Sequence, residues 1–237
     1  MGFVGAMAGE FQVTNGYGPE KAPQVMRQRA RRMVTNTAVL EMDQLNGEGM
    51  TVTYKRQLQY ARNPALLAVE LLNEPRAPGV SLDSLVKYYK AGYDAVRKHS
   101  STAYVVMSNR LSASDSRELF PLASGLRGTV IDVHYYNIFS SIFYTMTVQE
   151  NIDFIYNNRS AELNSITTSN GPLTFIGEWV AEWRVKGATK EEYQRFGKAQ
   201  LDVYGRASFG WAYWTLKNVN NHWSMEWMIQ NGYINKL

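Results

Sequence analysis

The chain has 237 residues, the length of one α/β barrel or one large domain, and its 45% of apolar residues is enough for a large core. It has no cysteine, which excludes a disulfide framework and thiolate chemistry. A net charge of +4 is too small to predict a nucleic-acid partner. No apolar run approaches the roughly 18 residues of a membrane helix, so we expect no membrane partner.

Aromatic residues are abundant, with six Trp and fifteen Tyr. Sugar rings stack on such faces, so the surplus is typical of carbohydrate recognition, and it is equally typical of an aromatic core. The first ten residues have no basic region and a short, glycine-rich apolar part. They do not predict a signal peptide, and the compartment stays open.

Residues 1–65 show no regular alternation of strands and helices. Residues 27–32 carry four arginines in six positions. We interpret them as a solvated helix face, and the alternative is a basic patch for nucleic acid. Residues 52–62 have a helical pattern, so helices in this part are expected to cover some of the core formed by the later residues.

From residue 66 onwards, strand and helix patterns alternate five times. The predicted strands are 66–73, 103–107, 130–136, 173–178 and 208–214, and the predicted helices lie near 82–98, 115–124, 147–163, 189–204 and 224–231. Two of the helices open with a capping box, at Thr147 and at Thr189. This order predicts a parallel sheet with right-handed crossovers.

Polar or aromatic side chains stand at the end of every predicted strand. They are Asn73, Glu74, Ser108, Asn109, His134, Tyr136, Glu178 and Trp214. In a (β/α)₈ barrel these ends converge on one mouth. A doubly wound sheet gathers them less completely, in a crevice at the switch point.

Glu74 and Glu178 fall on the first and fourth of these strands, which face each other across the mouth of an eight-strand barrel. A carboxyl pair about 5–5.5 Å apart hydrolyses glycosides with retention of configuration. One acid protonates the leaving oxygen and later activates water, while the other attacks the anomeric carbon. The alternative is two unrelated acids at strand ends.

The neighbouring residues suit a sugar. Asn73 is a candidate to hydrogen-bond a sugar 2-hydroxyl. Tyr136 is a candidate to hold the Glu178 carboxylate, and Trp214 is a candidate to stack on a sugar ring. His134 is a candidate partner of either acid or a structural histidine. The histidines have no metal-ligand spacing and no glycine-rich phosphate loop is present, so we predict no metal and no cofactor.

The chain resembles glycoside hydrolase family 5, in its exo-β-1,3-glucanase-like branch and plant form, over about residues 60–237. The similar segments are Asn73-Glu74-Pro75, residues 104–110, residues 132–137, Gly177-Glu178-Trp179, and residues 210–214 with Lys217-Asn218. Residues 9–19 also resemble the family's segment before its second strand. The resemblance implies Glu74 as acid/base, Glu178 as nucleophile, His134 and Tyr136 beside them, and Trp214 as sugar platform.

The resemblance also implies a (β/α)₈ barrel, of which residues 66–237 are βα units 4–8. Residues 1–65 are then a divergent remnant of the start of the barrel, too short for three units of roughly 30 residues. The family's arginine on the second strand and histidine on the third have no counterpart here. We therefore expect an incomplete barrel with about five of eight units, and self-association through its exposed strand edge.

Two functions remain from the sequence. The first is a retaining glycosidase acting on β-glucan-type bonds in polysaccharide catabolism. The second is a catalytically impaired carbohydrate-binding or interaction protein derived from that family. In both, the partner is an oligo- or polysaccharide, and the family is typically secreted or in the cell wall.

Overall fold

The computed structural model describes the backbone of residues 32–35 and residues 66–234. The described residues belong to two compact units. The first unit contains residues 32–35, 66–132 and 166–174, and the second unit contains residues 133–165 and 175–234. The patterns in residues 1–31 and 52–62 lie outside the described residues, and the division of the chain at residue 65 stays a prediction.

Six strands lie within the described residues, and they follow one another in the sheet in the order of the chain. They are β1 (Arg32–Thr35), β2 (Leu66–Glu70), β3 (Tyr104–Ser108), β4 (Thr129–Asn137), β5 (Leu173–Trp183) and β6 (Gly210–Tyr213). The pairs β1–β2, β2–β3, β3–β4 and β5–β6 are parallel. Parallel neighbours in chain order are the arrangement that the strand–helix alternation predicts.

Six α-helices lie within the described residues, five of them between strands and the last one after β6. They are α1 (Leu82–Arg97), α2 (Phe120–Ser124), α3 (Val148–Phe154), α4 (Ser160–Ile166), α5 (Lys190–Tyr204) and α6 (Met225–Gln230). A π-helical turn, Ile155–Arg159, joins α3 to α4, and 3₁₀ turns form at Ser141–Phe143 and Asn221–Trp223. Within residues 66–234, no helix is both long enough and apolar enough to span a membrane.

The sequence did not predict β1, whose four residues are too few to show a strand period. Arg32 begins this strand, so placing it on a solvated helix face was wrong. Its pairing with β2 is a long-range contact that a local pattern does not contain. The other strands and helices match their predicted positions within a few residues, except that β5 continues to Trp183.

The core of the first unit consists of the apolar strands β2 and β3 and the first residues of β4, 129–132, covered by α1. Ala68, Val105 and Val130 are fully buried on neighbouring strands. The buried Tyr89 of α1 donates its hydroxyl to the Ser108 carbonyl oxygen over 2.7 Å. This bond joins the covering helix to the carboxyl end of β3.

The core of the second unit is aromatic. The fully buried ring of Trp179 meets Tyr204, Trp211 and Tyr213 edge to face, at centroid distances of 5.5, 5.3 and 4.8 Å. Trp183 is also buried and stacks on Phe196. The two tryptophans of β5 therefore stabilise this core.

The segment that follows β6 is fastened to β5 by Glu182 and His222. Glu182 Oε2 lies 3.0 Å from His222 Nδ1, and Oε1 accepts from the Tyr193 hydroxyl and the Trp183 backbone N–H. Burial raises the pKa of Glu182, but the hydrogen bonds and the charge of His222 outweigh it and leave this pKa below its ordinary value. The Tyr213 hydroxyl donates to the backbone oxygen of His222.

The lowered pKa predicts how stability depends on pH. The unfolded state takes up a proton at Glu182 at a higher pH than the folded state does. The carboxylate therefore stabilises the fold above the ordinary pKa of 4.5, and this stability is lost as the pH falls through the folded pKa. We expect Glu182→Gln to lower the free energy of unfolding at neutral pH and to flatten its fall in acid.

Urea unfolding at a series of pH values measures both effects. The matched control is Glu191→Gln, on the exposed first turn of α5. An unchanged acid dependence in Glu182→Gln would contradict the prediction.

Candidate active site

Glu178 lies at a β-bulge. Between the pairs Ile176–Trp211 and Trp179–Tyr213, β5 advances by three residues and β6 by two. The extra residue interrupts regular pairing at Gly177 and Glu178, and a bulge of this kind redirects a side chain. The sequence predicted that β5 ends at Glu178, because an acid after an apolar run resembles a strand end. The strand instead continues through the buried Val180 and Ala181.

Two side chains of β4 contact the Glu178 carboxylate. The Tyr136 hydroxyl donates to Oε2 over 2.6 Å, and His134 Nδ1 lies 3.5 Å from the same oxygen. The first distance is typical of a short charge-assisted bond, whereas the second is too long for a strong one. His134 and Tyr136 are two positions apart, so they share a face of the strand. Only 13% of the Glu178 side chain is exposed.

Aromatic rings surround Tyr136. Phe139 meets its ring edge to face with centroids 5.2 Å apart, and Trp223 stacks on it at 6.0 Å and 26°. Trp223 is not among the residues that the sequence predicts for the site, because a single tryptophan before a short helix has no pattern that relates it to β4. The residues of this constellation all belong to the second unit.

Trp214 immediately follows β6 in the same unit. Its N–H donates to the Trp179 carbonyl oxygen over 2.8 Å, and its peptide bond to Thr215 is cis. Thr215 then donates to the Trp223 carbonyl oxygen over 2.7 Å. The half-buried Trp214 thus starts the segment that carries Trp223. Its role as a sugar platform stays a prediction.

Glu74 lies in the first unit, four residues after β2 ends at Glu70. The predicted strand continued to Asn73, but regular pairing ends earlier and both Asn73 and Glu74 lie in the following loop, half-buried. The backbone φ of Glu74 is 49°, in the left-handed region that a residue with a side chain seldom adopts. Such a conformation persists only where the surrounding contacts hold it.

The contacts that hold the Glu74 loop come from the segment after β3. The Leu111 N–H donates to the Pro75 carbonyl oxygen over 2.7 Å, and the Ala77 N–H donates to the Leu111 carbonyl oxygen over 3.0 Å. Arg110 donates to the Val80 carbonyl oxygen over 2.7 Å and pairs with the buried Glu118. The loop conformation is therefore set by a neighbouring strand end.

Glu74, His134 and Glu178 have side chains of the types that bind metal ions. The Glu178 carboxylate already accepts a hydrogen bond from Tyr136. A carboxylate that acts as nucleophile or proton carrier needs a donor of this kind. The prediction that the site uses neither metal nor cofactor stays a prediction.

The chain is similar to known glycosidases. The model of Cellulase (glycosyl hydrolase family 5) matches residues 53–220. Glucan 1,3-beta-glucosidase of Yarrowia lipolytica is 25% identical over an alignment of 205 residues, which covers 72% of this chain and 48% of that protein. Glucan 1,3-beta-glucosidase 1 of Schizosaccharomyces pombe is 26% identical over 205 residues, with 74% and 48% covered. The chain thus spans about half the length of these curated relatives.

Solved structures of similar fold include the rutinosidase from Aspergillus niger, with a TM-score of 0.61, 17% identity, and 80% of this chain and 59% of that chain covered. Thermotoga maritima Cel5A in complex with mannotriose has a TM-score of 0.58, 13% identity, and 81% and 66% covered. These similarities show the fold alone. They confirm the predicted (β/α)₈-type class in incomplete form.

The matched residues 53–220 are more than half of the chain and contain both candidate acids, Glu74 and Glu178. The resemblance noted in the sequence is therefore confirmed. The chain belongs to the cellulase family, glycosyl hydrolase family 5.

Proposed function

We propose that this chain is a retaining glycoside hydrolase that acts on β-glucan-type bonds. The observation that carries the proposal is the hydrogen bond from Tyr136 to the Glu178 carboxylate, next to the imidazole of His134. A donor of this kind holds a carboxylate in one orientation before substrate arrives. The relatives named glucan 1,3-beta-glucosidase support a β-glucan as substrate.

The proposed reaction is a double displacement. In the first step, a Glu178 carboxylate oxygen bonds to the anomeric carbon while the glycosidic bond breaks, and Glu74 gives its proton to the leaving oxygen. In the second step, Glu74 takes a proton from water, whose oxygen displaces Glu178 from the anomeric carbon. Each displacement inverts the configuration, so the product retains it.

The place of Glu74 after a strand end of its own unit supports its role as the acid/base. The carboxyl ends of parallel strands in a sheet of this class gather the catalytic groups. Glu74 follows the carboxyl end of β2, and its uncommon backbone conformation is of the kind that clusters at active sites. We assign Asn73 to the sugar 2-hydroxyl and Trp214 to a sugar face.

Glu178→Gln tests the nucleophile. We expect hydrolysis of an aryl β-glucoside and of laminarin to fall by more than about 10³-fold, because an amide does not form the glycosyl ester. Glu191→Gln, an equal change on the exposed face of α5, should keep full activity. Measured turnover of the wild-type chain that survives Glu178→Gln would overturn the assignment.

Glu74→Ala tests the acid/base and the stereochemistry together. An aryl glucoside with an acidic phenol needs no proton donor, so the glycosyl-enzyme should form and then accumulate. Azide, which needs no base, should restore turnover and yield the β-glucosyl azide, identified by proton NMR. Restoration that yields the α-azide, or no restoration, would contradict a retaining role for Glu74.

A second candidate function is carbohydrate binding without turnover, and the feature that favours it is that the arginine and the histidine implied by the family resemblance have no counterpart in the sequence. In this case laminarin binds to the wild-type chain but is not hydrolysed.

The self-association expected at an exposed strand edge also stays a prediction.

Trp214→Ala tests sugar stacking under either function. Loss of a stacked ring should weaken laminarin affinity by about tenfold, the size of an aromatic contact of roughly 1.4 kcal/mol. Isothermal titration calorimetry with the Glu178→Gln background measures affinity without turnover. The exposed Tyr156→Leu is the control, and equal affinities in all variants would exclude Trp214 from the sugar site.

A further inference from the structure

A series of contacts connects two residues of β5, Glu182 and Glu178. It passes through His222, Trp223 and Tyr136. We propose that His222, Glu182 and Trp223 are positioning residues, which hold Tyr136 against the Glu178 carboxylate. This inference rests on the proposed function of Glu178 and adds three residues that the two-carboxylate mechanism does not contain.

The first step is the stacking of Trp223 on Tyr136. The two rings are 26° from parallel with centroids 6.0 Å apart, and both residues are half-buried. The Tyr136 hydroxyl is at the far end of its ring, so a small swing of the ring about the Cα–Cβ bond moves the hydroxyl oxygen out of the narrow distance range of a hydrogen bond. Trp223 stacks on one face of the ring and limits this swing.

The second step is the placement of Trp223 by His222. The backbone oxygen of His222 accepts the Tyr213 hydroxyl, and its side chain reaches Glu182 over 3.0 Å. The Trp223 carbonyl oxygen accepts from the Thr215 N–H. The 3₁₀ turn that carries Trp223 is therefore held by the His222 side chain and by the backbone oxygens of His222 and Trp223.

The third step is the fixed orientation of the His222 ring. It lies 4.2 Å from the Tyr193 ring, 5.1 Å from Tyr233 and 5.8 Å from Trp227, measured between centroids. The His222 and Glu182 side chains are 19% and 24% exposed, so the pair is shielded much more than a surface ion pair. Two other donors, the Trp183 N–H and the Tyr193 hydroxyl, fix the Glu182 carboxylate that the ring contacts.

These three steps connect two acids of one strand, four residues apart. Glu178 is the nucleophile of the proposed reaction, and Glu182 anchors the turn whose tryptophan supports the nucleophile's hydrogen-bond donor. A substitution at His222 should therefore alter the chemical step more than the binding of substrate. A purely structural role would lower stability and leave the active fraction with normal kinetics.

The kinetic test compares His222→Ala with His222→Asn, whose amide N–H replaces Nδ1–H. For an aryl β-glucoside we expect His222→Ala to lower kcat by about 10- to 100-fold and to change KM little. This is the size of effect found for residues whose hydrogen bonds orient a group that acts at a site. His222→Asn should restore most of kcat. Trp223→Leu should act as His222→Ala does, and Trp223→Phe should be milder.

The control is Tyr156→Phe, which removes an exposed hydroxyl bonded to Asp202 in the same unit and should leave kcat unchanged. Circular dichroism melts of all variants identify loss of folding. If His222→Ala does not fold, the Trp223 pair decides, since it leaves the Glu182–His222 contact in place. Unchanged kcat in folded His222→Ala and Trp223→Leu would overturn the proposal.

Crystal structures of the variants give a readout that needs no turnover. In His222→Ala we expect the distance from the Tyr136 hydroxyl to Glu178 Oε2 to rise beyond hydrogen-bond range from its present 2.6 Å, and in His222→Asn to stay near it. If the wild-type chain hydrolyses no β-glucoside, the proposed function fails while this distance still decides the positioning role. An unchanged distance from the Tyr136 hydroxyl to Glu178 Oε2 in His222→Ala would overturn the positioning role.

Discussion

The hydrogen bond between Tyr136 and Glu178 joins the two strands that carry the candidate nucleophile and its partners. A carboxylate that is only 13% exposed has lost most of its water and needs a donor in exchange. Tyr136 supplies that donor over 2.6 Å, and His134 Nδ1 lies 3.5 Å from the same oxygen. The orientation of one side chain thus depends on the register of two strands and on the rings around Tyr136.

The second unit shows how an aromatic core supports a polar site. Trp179 follows Glu178 and points into the core, where Tyr204, Trp211 and Tyr213 enclose it. The bulge lets adjacent residues serve these two purposes, because it interrupts pairing at Glu178 and restores it at Trp179. In the first unit, a neighbouring strand end holds Glu74 in an uncommon backbone conformation through Leu111 and Arg110.

Local sequence patterns predicted most of the helices and strands. They failed where an element depends on pairing with another strand. Helix α5 begins after the capping box at Thr189 and ends at Tyr204, as its sequence predicts, because capping is a contact within four residues. Strand β1 is formed by pairing with β2, so its own four residues do not reveal it. The length of β5 was underestimated, since the acid at Glu178 resembled a strand end before the bulge was known.

The sequence by itself determined the strand–helix order, because periodicity is local, and it determined the family through the resemblance of its segments. Strand-end chemistry is also local, and it predicted the candidate residues Asn73, Glu74, His134, Tyr136, Glu178 and Trp214. Only the tertiary structure decided that Tyr136 reaches Glu178, that Trp223 stacks on Tyr136, and that Glu182 binds His222 forty residues away. Such contacts depend on strand register and a bulge. These are properties of paired strands and cannot be seen in one segment of the chain.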